Sequence, residues 1–151
     1  MPLGEISDIL WRERRLLRLL MCKFEVETLL LTARGTKWLD VVVNEAEAIA
    51  QELRHLDLFR AACVQGVAEE LGMSPFPTLY ELAERSPVPW GTILSDHREE
   101  LIRIARDVGV AATRSLQLRG RMHRAGSLVL AGMDHLELTS SRRDELVLVD
   151  E

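Results

Sequence analysis

The segment Glu52-Leu53-Arg54-His55 places a carboxylate and an imidazole at the spacing that helical metal sites use. Di-iron proteins built on four helices need this Glu-x-x-His pair twice, together with two further glutamates. The pair occurs once in this sequence, and the neighbouring positions that fit a core-facing stripe are occupied by Leu53 and Leu56. We therefore predict no metal site and no cofactor.

The remaining reactive residue types form no catalytic pattern. Asp96-His97 and Asp134-His135 are adjacent pairs, and neighbours in sequence point to different faces of a helix. No serine lies in a G-x-S-x-G elbow, and no glycine-rich phosphate loop is present. Cys22 and Cys63 lack a CxxC spacing, which is typical of a reducing compartment. We predict that the protein is not an enzyme and has no catalytic residues.

The elements that carry these residues are two long leucine-rich stretches, residues 5–71 and 90–133, separated by a segment that holds four of the five prolines. Apolar residues recur every three or four positions in both stretches, which predicts amphipathic helices. The first helix should span about residues 5–33 and the second about 36–71. Arg34-Gly35-Thr36 predicts a break between them, with a continuous helix as the alternative.

The proline-rich connection, residues 72–89, contains a capping-box pattern in Thr78-Leu79-Tyr80-Glu81, which predicts a short helix over residues 78–85. A last long helix should follow over residues 90–133, and residues 134–151 should form a weakly ordered tail. The predicted fold is all-α: an antiparallel bundle of long amphipathic helices that forms a single domain over residues 1–151.

Composition limits the classes of partner. The net charge is −5 and the pI about 5.4, whereas nucleic-acid binding favours an excess of lysine and arginine. No run of about twenty apolar residues could span a membrane, and the N-terminus does not resemble a signal peptide. The segment 113–133 has arginines but no acidic residue, which indicates a docking patch for an acidic partner or an ordinary solvated face.

One charged residue interrupts the apolar stripe of the second helix. Arg60 lies on the face that Leu53, Leu56 and Val67 share. We expect its aliphatic stem to pack in the bundle and its guanidinium to reach water, or Glu25 or Glu27 on a neighbouring helix.

The order of helices and breaks resembles the FlgN family of flagellar export chaperones. The resemblance rests on residues 9–14 (ILWRER), the 35–39 junction (GTKWL), Leu71-Gly72, residues 77–83 (PTLYELA), Pro89-Trp90 and residues 94–98 (LSDHR), and it covers most of residues 5–133. Members are cytoplasmic helical proteins that keep hook–filament junction proteins unassembled and deliver them to the flagellar type III export gate. Many members have asparagines in the middle of the last helix, where this chain has Thr113, Arg114 and Ser115.

The resemblance implies that the last long helix and the tail bind the client protein. An amphipathic helix at one terminus of a hook-associated junction protein would lie along that helix. We predict that its binding surface consists of six apolar residues and two arginines: Leu116, Met122, Leu128, Val129, Leu130, Met133, Arg119 and Arg121. The alternative that these residues are ordinary bundle core stays open at this stage.

A second class of function also fits the heptads of the first two helices. Those helices could pair with each other or with a second chain, as in a dimeric coiled-coil scaffold or a helical regulator without a secreted client. We therefore expect junction proteins and the export gate as partners, a homodimer as the alternative assembly, and neither nucleic-acid binding nor membrane insertion.

Overall fold

The computed structural model describes residues 2–119, which contain four α-helices and one short 3-10 turn joined by short connections. The helices are α1 (Pro2–Thr32), α2 (Leu39–Glu70), α3 (Leu79–Arg85) and α4 (Trp90–Arg119), and the 3-10 turn is Thr36–Trp38. These elements confirm the predicted all-α bundle. The predicted continuation of the last helix to residue 133 and the predicted tail over residues 134–151 lie outside the described residues, and the single-domain organisation stays a prediction.

The long helices run up, down and up, with α1 contacting both α2 and α4. Ion pairs from Arg12 to Glu52 and from Lys23 to Glu45 show that α2 runs antiparallel to α1. Contacts from Ser7 to His97 and from Glu27 to Arg119 show that α4 runs in the same direction as α1. We call the end formed by the last turns of α1 and α4 and the start of α2 the distal end; α3 closes the opposite end.

The core forms because α1 offers apolar residues at alternating three- and four-residue spacing. Leu3, Ile6, Leu10, Leu17, Leu20 and Phe24 are all buried along this seam. Each such side chain contributes roughly 1.5–3 kcal/mol when it leaves water. The apolar heptads of α1 and α2 therefore face each other within one chain, which leaves those inner faces unable to join a second copy.

The predicted break between α1 and α2 is present. The Gly35 amide donates to the Leu30 carbonyl (2.8 Å) and the Arg34 amide to the Leu31 carbonyl (3.3 Å), a Schellman motif in which Arg34 has a φ of 56°. The end of α2 repeats the motif, with Gly72 at the left-handed position (φ 65°). The left-handed residue of the first motif is thus Arg34, although the sequence pattern favours the adjacent Gly35.

The short helix α3 begins as the sequence predicts. Thr78 caps its N-terminus by accepting a hydrogen bond from the Glu81 amide (3.1 Å), and the Glu81 carboxylate accepts from the Thr78 amide (3.0 Å). Leu79, Leu82 and Ala83 are buried and pack in the core. This cap fixes the connection that returns the chain to the start of α4.

Candidate partner-binding surface

The predicted binding residues divide into two that the structure describes and six that it does not. Leu116 is half-buried beside the α1–α4 seam, and Arg119 donates from Nη1 to Oε1 of the buried Glu27 at 2.6 Å. Met122, Leu128, Val129, Leu130, Met133 and Arg121 lie outside the described residues. The guanidinium of Arg119 thus already has an intramolecular partner, and its contact with a client stays a prediction.

The buried stripe of α4 ends with an exposed leucine. Leu101, Ile104, Val108, Ala111 and Ser115 follow the three- and four-residue spacing and are buried. The next position in the same series is Leu118, which is 50% exposed. The helix therefore presents apolar surface at the distal end, next to the residues that continue the predicted binding segment.

Further exposed apolar side chains lie at the same end of the bundle. Leu29 is in the last turn of α1, Trp38 ends the 3-10 turn and Val41 is in the first turn of α2. Their exposed fractions are 67%, 58% and 47%. We call Leu29, Trp38, Val41 and Leu118 the distal apolar surface. They share an end of the bundle, where exposed apolar side chains are available to a partner.

Sequence reasoning missed most of this surface. The predicted second helix, residues 36–71, includes Trp38, but in the structure Trp38 ends the 3-10 turn that precedes α2 and is largely exposed. Leu118 continues the spacing of the buried residues of α4, which predicts burial, whereas Leu29 lies beside the buried seam of α1. Their position in the last turn of a helix favours exposure, because side chains at the end of a bundle have packing neighbours on fewer sides.

Basic residues accompany the distal apolar surface. Lys37 places its ammonium 5.1 Å from the centre of the Trp38 ring, and Arg34 is exposed in the adjoining turn. Asp40 is exposed in the first turn of α2. Cations beside an aromatic ring favour an amphipathic partner whose apolar face is bordered by acidic residues.

A buried ion cluster, by contrast, holds α2 against α1. Arg60 donates from Nη1 to Glu13 Oε2 at 2.6 Å and from Nη2 to Asp57. The prediction that Arg60 reaches water, Glu25 or Glu27 was therefore wrong, because the register of the α1–α2 hairpin brings Glu13 opposite it. Burial raises the pKa of Glu13 to about 7, against the lowering effect of Arg60, whose single charge also serves Asp57.

The buried His97 is also held by protein groups. Arg14 donates to Nδ1 (3.2 Å), so the ring is neutral with its proton on Nε2, which donates to Ser7 Oγ (3.0 Å). Burial and the neighbouring Arg14 charge lower the pKa of this imidazole. Trp11 contacts the ring edge-on, with the two centroids 4.9 Å apart. These contacts place His97 in a packed α1–α4 interface and not in an open site.

The two members of the Glu-x-x-His pair, Glu52 and His55, lie at the surface and not in the core. Glu52 accepts a hydrogen bond from Arg12 (2.8 Å), and His55 is exposed. Among residues 2–119, no three histidine, cysteine or acidic side chains come together as a metal would require. Over the same residues, no helix is long and apolar enough to cross a membrane.

Comparison with known proteins gives one family. A family model described as "FlgN protein" matches residues 1–115, which is most of the chain and includes α1, α2, α3 and nearly all of α4. Searches of curated proteins and of solved structures return no match.

Proposed function

Since the chain belongs to the FlgN family of flagellar export chaperones, we propose that it binds hook–filament junction proteins in the cytoplasm and delivers them to the flagellar type III export gate. The family is one of chaperones, not of enzymes. The described contacts fit such a role, because the buried Glu13, Arg60 and His97 have partners within the bundle, while four exposed apolar residues lie at its distal end.

The distal apolar surface is the observation that carries this proposal. Leu118 extends the buried stripe of α4 into solvent, and the same spacing continues in the sequence at Met122, Val129 and Met133. An amphipathic terminal helix of the client would cover this stripe together with Leu29 and Trp38. The client thereby keeps its own apolar face covered until export.

The proposal is tested with the full chain and a purified hook-associated junction protein by isothermal titration calorimetry. We expect a 1:1 complex that Leu118→Ser weakens about tenfold, because about 1.4 kcal/mol of apolar contact is lost. Met122→Glu and Val129→Glu should weaken it further. Val110→Ser is the matched control, since Val110 is a comparably exposed apolar residue on α4 two turns earlier.

A chain ending at residue 119 separates the predicted binding segment from the bundle. Circular dichroism should first show that the truncated chain keeps its helices. We expect it to lose measurable client binding. If the truncated chain binds the client with unchanged affinity, the client surface lies elsewhere. If only Leu118→Ser binds with unchanged affinity, the distal apolar surface is not part of the client surface.

The scaffold alternative predicts a tight homodimer and no client. Light scattering of the purified protein, with and without the junction protein, separates the two functions. Delivery is tested by capture of the chaperone–client complex on the purified cytosolic part of the export gate. We expect the gate to capture the complex of the full chain with its client. The chain that ends at residue 119 should bring no client to the gate.

A further inference from the structure

The packing between α1 and α4 changes along its length. Up to residue 108, the buried positions of α4 are mostly apolar: Leu94, Leu101, Ile104, Ala105 and Val108. Beyond that point the buried positions are Ala111 and Ser115, and the next one on the same face is Arg119, whose side chain is 9% exposed. The end of α4 therefore meets α1 through small and polar side chains.

This end of α4 gains less from apolar packing than the part before it. Ala111 has only one methyl group to bury, and the buried Ser115 Oγ has no hydrogen-bond partner among residues 2–119. The hydrophobic contribution follows the apolar area removed from water, and a buried hydroxyl without a partner opposes folding. The last turns of α4 therefore depend more on a specific polar contact with α1.

The ion pair between Glu27 and Arg119, which we call the distal ion pair, supplies that contact. Arg119 Nη1 lies 2.6 Å from Glu27 Oε1, and the Glu27 side chain is fully buried. Removing either partner would leave the other charge buried without its counter-ion, which is strongly unfavourable. Since Arg119 lies at the end of α4, its long side chain would reach water if the last turns moved away from α1.

Gly109 marks the point where the two parts of α4 meet. It follows Val108 directly, and an added Cβ there would meet nothing within 4 Å. The Thr113 hydroxyl donates to the Gly109 carbonyl (2.8 Å), a contact that often bends helices, and glycine inside a helix lowers its stability. The helix is therefore most easily deformed between its apolar part and its polar end.

The distal apolar surface depends on the position of this end of α4. Leu118 precedes Arg119 on α4, whereas Leu29 lies two residues after Glu27 on α1. A client helix that covers both leucines needs α4 held against α1 at this level. The distal ion pair thus lies where it can join the α1 and α4 parts of the surface.

Given the proposed function, we propose that the distal ion pair holds these two parts of the distal apolar surface together and so sets the affinity for the client. Glu27 is a positioning residue, because it has no exposed surface for a client and acts through Arg119. When the ion pair opens, the last turns of α4 bend away at Gly109, Leu118 separates from Leu29, and the client loses part of its contact. The client is then released without unfolding of the bundle.

Distances between spin labels test this movement without any client. One label replaces Ala48 on α2 and the other replaces Gln117 on α4, both of which are exposed, in a full chain whose two cysteines are changed to serine. The parent should give one narrow distance distribution by double electron–electron resonance. Glu27→Gln removes the charge and keeps the size of the side chain. It should add a second population at longer distance, since α4 moves away from the α1–α2 hairpin.

Two controls separate this movement from a general loss of stability. A label at Arg106, before the glycine, should keep its narrow distance from the label on α2 in both chains. Arg18→Gln breaks another ion pair between α1 and α4, to Glu100 (2.9 Å), and should leave the label at the end of α4 in place. A single unchanged distribution in Glu27→Gln, or equal broadening for both label positions on α4, would overturn the proposal.

Isothermal titration calorimetry with a purified hook-associated junction protein and unlabelled full chains tests the effect on binding. Glu27→Gln and Arg119→Gln should each weaken binding about tenfold, and the double variant should weaken it no further, because the two residues act as one unit. Arg18→Gln should bind as the parent does. Effects that add in the double variant would mean that Arg119 contacts the client directly, and would overturn the positioning role of Glu27.

The possible outcomes distinguish this proposal from the proposed function. If the parent binds the client and Glu27→Gln binds it equally well, the positioning role is refuted and the proposed function stands. If the parent binds no junction protein, the proposed function is refuted, while the spin-label distances still decide whether the distal ion pair holds α4 on α1.

Discussion

The buried carboxylate of Glu13 should make the stability of the bundle depend on pH. Its pKa is raised from 4.5 to about 7 in the folded chain, mainly by burial. The folded state therefore binds the proton more tightly than the unfolded chain does. The contribution of Glu13 to the free energy of unfolding should be largest below pH 4.5 and should be lost as the pH rises through about 7. The difference in pKa corresponds to about 3 kcal/mol.

Glu13→Gln isolates this effect, because the amide is nearly isosteric with the protonated acid and its oxygen still accepts from Arg60. At pH 8.5 the variant should be more stable than the parent by about 2–3 kcal/mol, and at pH 5 the two should agree within about 1 kcal/mol. Urea unfolding followed by circular dichroism at 222 nm gives both values. The parent-minus-variant difference also cancels the contribution of His97, which changes in the opposite direction with pH.

Two further variants define the mechanism. Glu52→Gln removes an exposed carboxylate that pairs with Arg12, and should change stability by less than about 1 kcal/mol at either pH. Arg60→Met removes the guanidinium that Glu13 and Asp57 share, and should cost about 3–5 kcal/mol at pH 8.5 but less at pH 5. If Glu13→Gln is less stable than the parent at pH 8.5, Glu13 is ionised with an ordinary pKa and the reasoning fails.

Three other perturbations follow from single contacts. Because burial and a neighbouring cation lower the pKa of His97, the folded state should lose stability as the pH falls below about 6.5, and His97→Asn should remove that loss in urea unfolding at pH 5 and 7. Gly91→Ala should lower Tm and cost about 1–3 kcal/mol of unfolding free energy, because its Cβ would lie 2.9 Å from a backbone carbonyl oxygen of α3. Gly109→Ala is the control, since a Cβ there would meet open space, and it should gain about 0.5–1 kcal/mol. Equal effects of the two variants would contradict the packing at Gly91. Arg34→Gly should raise the unfolding free energy by about 1 kcal/mol, because glycine adopts the left-handed conformation of this residue without strain. Gly72→Ala should lower it by a similar amount for the converse reason. Calorimetric scans in which both variants change stability in the same direction would refute the left-handed conformation of these two residues.

The sequence was sufficient for the elements of the fold because their signals are local. Apolar spacing predicted the long helices, the capping box at Thr78 predicted α3, and the Arg34-Gly35-Thr36 segment predicted the break that the structure contains. The family resemblance, confirmed by the match over residues 1–115, also follows from this order of helices and turns. None of these features needs knowledge of which helix faces another.

The tertiary structure decided which partner each face and each charge acquired. Arg60 meets Glu13, and Arg119 meets Glu27, because of the register between helices, which single-helix periodicity does not specify. The same spacing predicts burial for Leu101 and for Leu118, yet Leu118 is half exposed because it follows the last buried position of α4, at the open distal end of the bundle. Periodicity shows that a residue lies on an apolar face, whereas only packing determines whether that face is covered by its own chain or left for a partner.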